Sequence, residues 1–129
     1  MNKTLIALSV ACLGMTLSAQ SMAASSTLET VKARGQLICG VNTAAPGFAS
    51  VDSKGNWTGL DVDVCRAVAA ATLGDASKVK FVPLSSPQRF TALQAGEIDM
   101  LARNTSWTMN RDTTTGALFT AVTYYDGQG

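Results

Sequence analysis

Apolar residues fall into two regimes along this chain: one dense block near the start, then short runs separated by glycine, proline and polar turns. The dense block spans Leu5 to Leu17 and is interrupted only by Ser9, Gly14 and Thr16. Met1-Asn2-Lys3 precedes it as a short positive segment. Ser21-Met22-Ala23 follows, with small residues at the two positions a signal peptidase inspects. Those parts in that order predict a cleavable secretory signal over residues 1–23. The block is shorter than the roughly 20 apolar residues of a membrane span. Cys12 makes a poor lipoprotein site, because Leu8-Ser9-Val10-Ala11 fits that signal badly and the apolar run continues beyond it.

After the signal, strand-like and helix-like stretches alternate. A short helix is expected over Ser26–Gly35, with Thr27 as cap and Gly35 as stop. Gln36–Asn42 reads as a strand, broken by Ala45-Pro46-Gly47. Phe48–Leu60 reads as a hairpin or loop around Ser53-Lys54-Gly55-Asn56. Asp61–Leu73 is the clearest helix, with Val64, Val68 and Ala71 on one face and Gly74 at its end. Asp61 is expected to cap it, and Asp63 to sit as a first-turn acid favoured by the helix dipole. Val79–Leu84 is a second strand. Ser86-Pro87 then predicts a cap and first residue for a helix carrying Phe90 and Leu93 and stopping at Gly96. Ile98–Ala102 is a third strand, Arg103–Arg111 a polar connection in which Thr108 caps a short helix, and Ala117–Tyr125 a fourth strand-like run. This alternation predicts an α/β fold with a mainly parallel sheet flanked by helices.

Composition narrows the chemistry. Ten Lys and Arg stand against nine Asp and Glu, and removing the signal takes Lys3 away, leaving nine of each. A neutral chain has no electrostatic case for nucleic acid or an anionic membrane. The sequence contains no His, the commonest general base and metal ligand near neutral pH, and neither a metal nor another cofactor is expected. With Cys12 in the signal, Cys39 and Cys65 remain. An oxidising compartment favours a disulfide between them, one being in the first strand and the other in the helix that packs back onto it. Two buried free thiols are the alternative.

The segments Gly35-Gln36-Leu37-Ile38-Cys39-Gly40-Val41, Gly59-Leu60-Asp61-Val62-Asp63-Val64-Cys65-Arg66-Ala67-Val68, Arg89-Phe90-Thr91-Ala92-Leu93-Gln94-Ala95-Gly96-Glu97-Ile98-Asp99 and Arg103-Asn104-Thr105-Ser106-Trp107-Thr108 carry a family pattern. Asn110-Arg111-Asp112 and Tyr125-Asp126-Gly127-Gln128-Gly129 complete it. In this order and spacing the set resembles the periplasmic solute-binding proteins of polar amino-acid ABC transporters, and most of all their general L-amino-acid-binding branch. The resemblance implies a periplasmic-binding-protein-like fold of two α/β lobes closing over one ligand. Residues 24–129 would then be an incomplete N-terminal lobe, not expected to bind by itself. It also implies a periplasmic location, an L-amino acid as ligand, an inner-membrane ABC permease as partner, and a monomer at full length.

The resemblance implies that Arg111 holds the ligand's α-carboxylate, a task a guanidinium performs with two parallel charge-assisted hydrogen bonds. Asn104 and Ser106 fit the small polar positions that bind carboxylate and ammonium. Arg103 departs from the Ser of many relatives, and either contacts a ligand side chain or is structural. Asn42 stands where binders of cationic amino acids carry an acid. Ala45 replaces an aromatic and implies a roomier pocket, to which Phe48 would lend apolar surface. Ser86 is expected to cap first and line the pocket second. Trp57 and Trp107 read as packing plugs, and Asp99 as structural. A prephenate or arogenate dehydratase on the same scaffold, or an extracellular sensor domain, are the rival functions. The dehydratase would need a positioned acid that Glu29 and Glu97 do not obviously supply.

Overall fold

The computed structural model describes residues 26–127, so the expected signal sequence and Cys12 lie outside the described residues. Helix α1 spans Thr27–Arg34. Its cap is Ser26, not Thr27: the Ser26 backbone is extended, and its hydroxyl accepts from the Glu29 N–H at 3.3 Å. Strand β1 (Leu37–Asn42) follows. A hairpin of β2 (Ser50–Val51) and β3 (Trp57–Thr58) comes next, in antiparallel register. Asp52 holds its turn, the carboxylate accepting from the Lys54 and Asn56 backbone N–H groups at 2.8 Å each. Those bonds, led by the Asn56 side chain, lower the Asp52 pKa.

Helix α2 spans Leu60–Leu73, and its cap is Gly59 where Asp61 was expected. The reason is steric. Gly59 has φ +123°, and a Cβ there would sit 2.3 Å from the Phe48 carbonyl oxygen. The Leu60 and Asp61 N–H groups donate to the Gly47 and Phe48 carbonyls at 2.9 Å. The preceding loop thus caps the helix, and Asp61 is drawn into the first turn and buried.

Strand β4 (Val79–Leu84), helix α3 (Gln88–Gln94), strand β5 (Met100–Leu101) and helix α4 (Met109–Thr114) complete the described elements. Ser86 does not cap α3; instead the Gln88 side chain folds back to accept from the Ser85 hydroxyl at 2.6 Å. Thr108 does cap α4, accepting from the Arg111 N–H at 3.3 Å. No strand forms over Ala117–Tyr125. A β-prone run becomes a strand only with a partner, and among the described residues none pairs with it. Leu118, Val122 and Tyr125 of that run are exposed.

The main sheet is parallel, in the order β4-β1-β5. Successive side chains of β1 point to opposite faces. Leu37, Cys39 and Val41 face α2, packing with Val62, Cys65 and Ala69. Ile38 and Gly40 face the α3 side, with Leu84, Ala92 and Ile98. Gly40 lets that layer close, since a Cβ there would lie 2.7 Å from Ile98 Cδ1. Burial on both faces suits a parallel strand made almost wholly of apolar residues. Cys39 and Cys65 form a disulfide across the β1–α2 layer, Cα atoms 6.1 Å apart. At the other end of β1, Asp99 accepts from the Ile38 N–H at 2.7 Å and pairs with Arg34, the structural role expected of it.

Candidate functional site

The connection after β1 runs to α2 on one face of the sheet, and that after β4 to α3 on the other. Two neighbouring strands whose connections diverge leave a crevice at their carboxyl ends, where α/β sheets hold ligands. Asn42 closes β1, Leu84 closes β4, and Arg103-Asn104 follow β5.

Three of the expected residues meet there. The Asn42 side-chain amide donates to Asn104 Oδ1 at 2.8 Å, while Asn42 Oδ1 accepts from the Ala44 N–H at 3.2 Å. Arg103 crosses the strand ends: Nη1 donates to the Leu84 carbonyl at 2.6 Å, and Nη2 to Ser86 Oγ at 3.2 Å and Asn104 Oδ1 at 3.4 Å. Arg103 therefore has a structural task, and Ser86 enters the site as its acceptor. Arg111, in the first turn of α4, turns back on the same loop. Its Nη1 donates to the Ser106 carbonyl at 2.8 Å, which leaves the exposed Ser106 hydroxyl facing no partner among the described residues.

Phe48 lies apart from this polar set. Its ring meets Tyr124 edge-to-face at 5.1 Å, and its backbone serves the start of α2. Trp57 packs on Phe81 with ring centroids 5.7 Å apart and plugs the edge of the core, whereas Trp107 stacks on Phe119 at 5.4 Å and stays exposed, so it is no plug. Among the described residues, two concave pockets lie against α1, lined by residues such as Thr27 and Asp99. Their charged groups, Arg34 and Asp99, are already paired with each other.

Two further residues belong to the site: Arg89, given no role from sequence, and Asp61, expected only as a helix cap. Arg89, in the first turn of α3, is only 7% exposed, and its guanidinium lies over the Phe90 ring at 5.1 Å. Burial and the positive charges of Arg103 and Arg111 push its pKa below arginine's usual value. Asp61 is 3% exposed, and burial raises its pKa against the opposing pull of Arg103. Burial likewise lowers the Arg103 pKa, with Asp61 acting in the other direction. The sequence held one signal for Arg89: a cation in the first turn of a helix opposes the dipole.

Among the described residues, the buried side-chain atoms without a hydrogen-bond partner are Asp61 Oδ2, Arg89 Nε, Arg103 Nε and Thr105 Oγ1. Native structures satisfy nearly all such groups. Their concentration beside one set of strand ends, with arginines in excess over acids, suits an anionic, hydrogen-bonding ligand.

The parallel α/β sheet with a polar rim at its strand ends is part of a lobe of the periplasmic-binding-protein-like class, as its similarity to solved structures shows. The chain belongs to the bacterial extracellular solute-binding proteins, family 3, whose pattern it matches over residues 37–129. It is 60% identical to the general L-amino acid-binding periplasmic protein of Rhizobium johnstonii, over 84% of this chain and 32% of that protein. It is also 60% identical to the glutamate/glutamine/aspartate/asparagine-binding protein of Rhodobacter capsulatus, over 83% of this chain and 32% of that one. The solved structure of an ABC transporter periplasmic binding protein from Brucella ovis with glutathione bound is 61% identical, with a TM-score of 0.70. That match covers 71% of this chain and 29% of the other. The chain thus spans about a third of the length of the curated relatives it matches.

Proposed function

We propose that residues 24–129 contribute the ligand-facing rim of the first lobe of a two-lobe binding protein. It captures L-amino acids in the periplasm, after removal of residues 1–23, and passes them to an inner-membrane ABC permease. The carrying observation is Arg103 spanning the strand ends, where its own Nε and that of Arg89 are buried without partners. The names of the Rhizobium johnstonii and Rhodobacter capsulatus relatives support the ligand class.

In this reading Arg111 grips the α-carboxylate. One of its Nη atoms is spent on the Ser106 carbonyl, which fixes the guanidinium plane and leaves its remaining N–H groups for the ligand. A hydrogen bond to a charged group contributes about 1.5–3 kcal/mol. Asn104 and Ser106 complete the carboxylate and ammonium contacts, and Asn42 fixes Asn104. The second lobe supplies an acid for the ammonium, and closure of the lobes buries the ligand.

The activity is binding without chemistry. Glu29 and Glu97 are exposed on α1 and on the turn after α3, so neither serves as a positioned acid at the strand ends. Calorimetric titration of the two-lobe protein with L-amino acids and with the matching decarboxylated amines tests the proposal. Saturable binding of the acids but not of the amines is expected. Equal binding of both, or release of phenylpyruvate from prephenate, contradicts it.

A further inference from the structure

Cys39 and Cys65 are both 0% exposed, and their disulfide lies inside the layer between β1 and α2. Val41, Ala49, Val62 and Ala102 are buried in the same cluster, and Trp57 and Phe81 pack against it. The bond is thus enclosed by apolar side chains from the central strand, the hairpin region, α2 and the end of β5.

Thiol–disulfide exchange requires a thiolate to attack a sulfur directly, through a mixed disulfide. An attacking thiolate would have to enter this layer, where a bare negative charge is costly. Space is also lacking, because protein interiors hold few voids larger than a water molecule. Formation of the bond meets the same obstacle, since a disulfide oxidant must first join covalently to one of the two cysteines.

We infer that the Cys39–Cys65 bond is made by a disulfide oxidant acting on the open chain, before the β1–α2 layer closes, and is sealed against exchange in the folded protein. One cysteine thiolate attacks the oxidant's disulfide, giving a mixed disulfide and one released thiol. The second cysteine thiolate then attacks the first cysteine's sulfur and displaces the other half of the oxidant. Two electrons pass to the oxidant, which leaves as two thiols, and the two cysteine protons go with them. The folded chain therefore carries no redox switch at this bond: its state is set once, during folding.

The test uses the two-lobe protein lacking residues 1–23, treated with dithiothreitol in native buffer and in denaturant. Released thiols are alkylated, and those at Cys39 and Cys65 are identified by mass spectrometry of peptides. Reduction in native buffer is expected to be slower by about a thousandfold or more, because exchange waits on opening of the fold. A second arm starts from protein reduced in denaturant and returned to native buffer. Oxidised glutathione present from the start should pair Cys39 with Cys65, whereas the same reagent added after folding should leave both as thiols. Native reduction within tenfold of the denatured rate overturns the inference, and so does rapid pairing in the folded, reduced protein. If the reduced chain does not fold, the native reduction rate decides by itself.

Discussion

The amide of Asn42, the last residue of β1, donates to Asn104 Oδ1 at 2.8 Å, tying the end of the central strand to the loop beyond β5. Arg103 ties the same loop to the end of β4 through the Leu84 carbonyl. The strand ends are therefore bridged by side chains to the loop beyond β5, which is tied to the sheet at two points. Asn42→Ala should lower the stability of the two-lobe protein by about 1 kcal/mol and speed amide exchange over residues 103–106. Unchanged exchange in that loop would show that the bridge does not order it.

The Cys39–Cys65 disulfide joins β1 to α2 across a sequence separation of 26. A bridge closing a loop of that size contributes roughly 3 kcal/mol. Denatured protein lacking residues 1–23 should show no free thiol without reductant, and Cys65→Ala should unfold at markedly lower denaturant. Two titratable thiols would contradict the bridge.

Gly59 carries the tightest backbone contact at the head of α2, against the Phe48 carbonyl. Gly59→Ala combines that clash with a strained φ, and should cost about 2–3 kcal/mol. Gly74→Ala, at a left-handed φ of +72° but with open space around it, should cost less. Equal losses would mean that the loop yields and that the cap is not steric.

Asp61 makes stability depend on pH in a direction opposite to most carboxylates. Burial raises its folded pKa above the ordinary value of 3.8, so the folded state binds more protons than the unfolded one between the two values. Its contribution to stability is then present at low pH and falls as pH rises from 3.8 through the folded pKa. Asp52 and Asp75, whose pKa values are lowered by hydrogen bonds, act with the opposite sign. Denaturant unfolding across pH 4–7 should therefore show a steeper rise in stability with pH for Asp61→Asn than for the unaltered protein. Parallel curves would contradict a raised Asp61.

The order of the elements was legible because glycines, apolar runs and the spacing of α2 all point one way. What was misplaced depended on contacts distant in sequence. Asp61 and Ser86 have the residue types of caps, yet the loop at Gly47–Phe48 receives the first N–H groups of α2, and α3 starts at Pro87 with no side-chain cap. Ala117–Tyr125 has a strand's composition, but strand formation depends on a partner. Within the site, Asn42 and Arg103 both donate to Asn104, and Arg111 donates to the Ser106 carbonyl. The burial of Arg89 stayed hidden, because an arginine's exposure and neighbours cannot be read from its place in a helix.

The central claim is that Arg111 anchors an amino acid's α-carboxylate on this rim. Isothermal titration of the two-lobe protein with a panel of L-amino acids, beside the folded Arg111→Met variant, tests it most directly. The account predicts dissociation constants of about 1 μM or tighter, near −8 kcal/mol. It also predicts a loss of ten- to a hundredfold or more in Arg111→Met, shared by every amino acid bound. Undiminished affinity in the variant, or no binding by the unaltered protein, would contradict it.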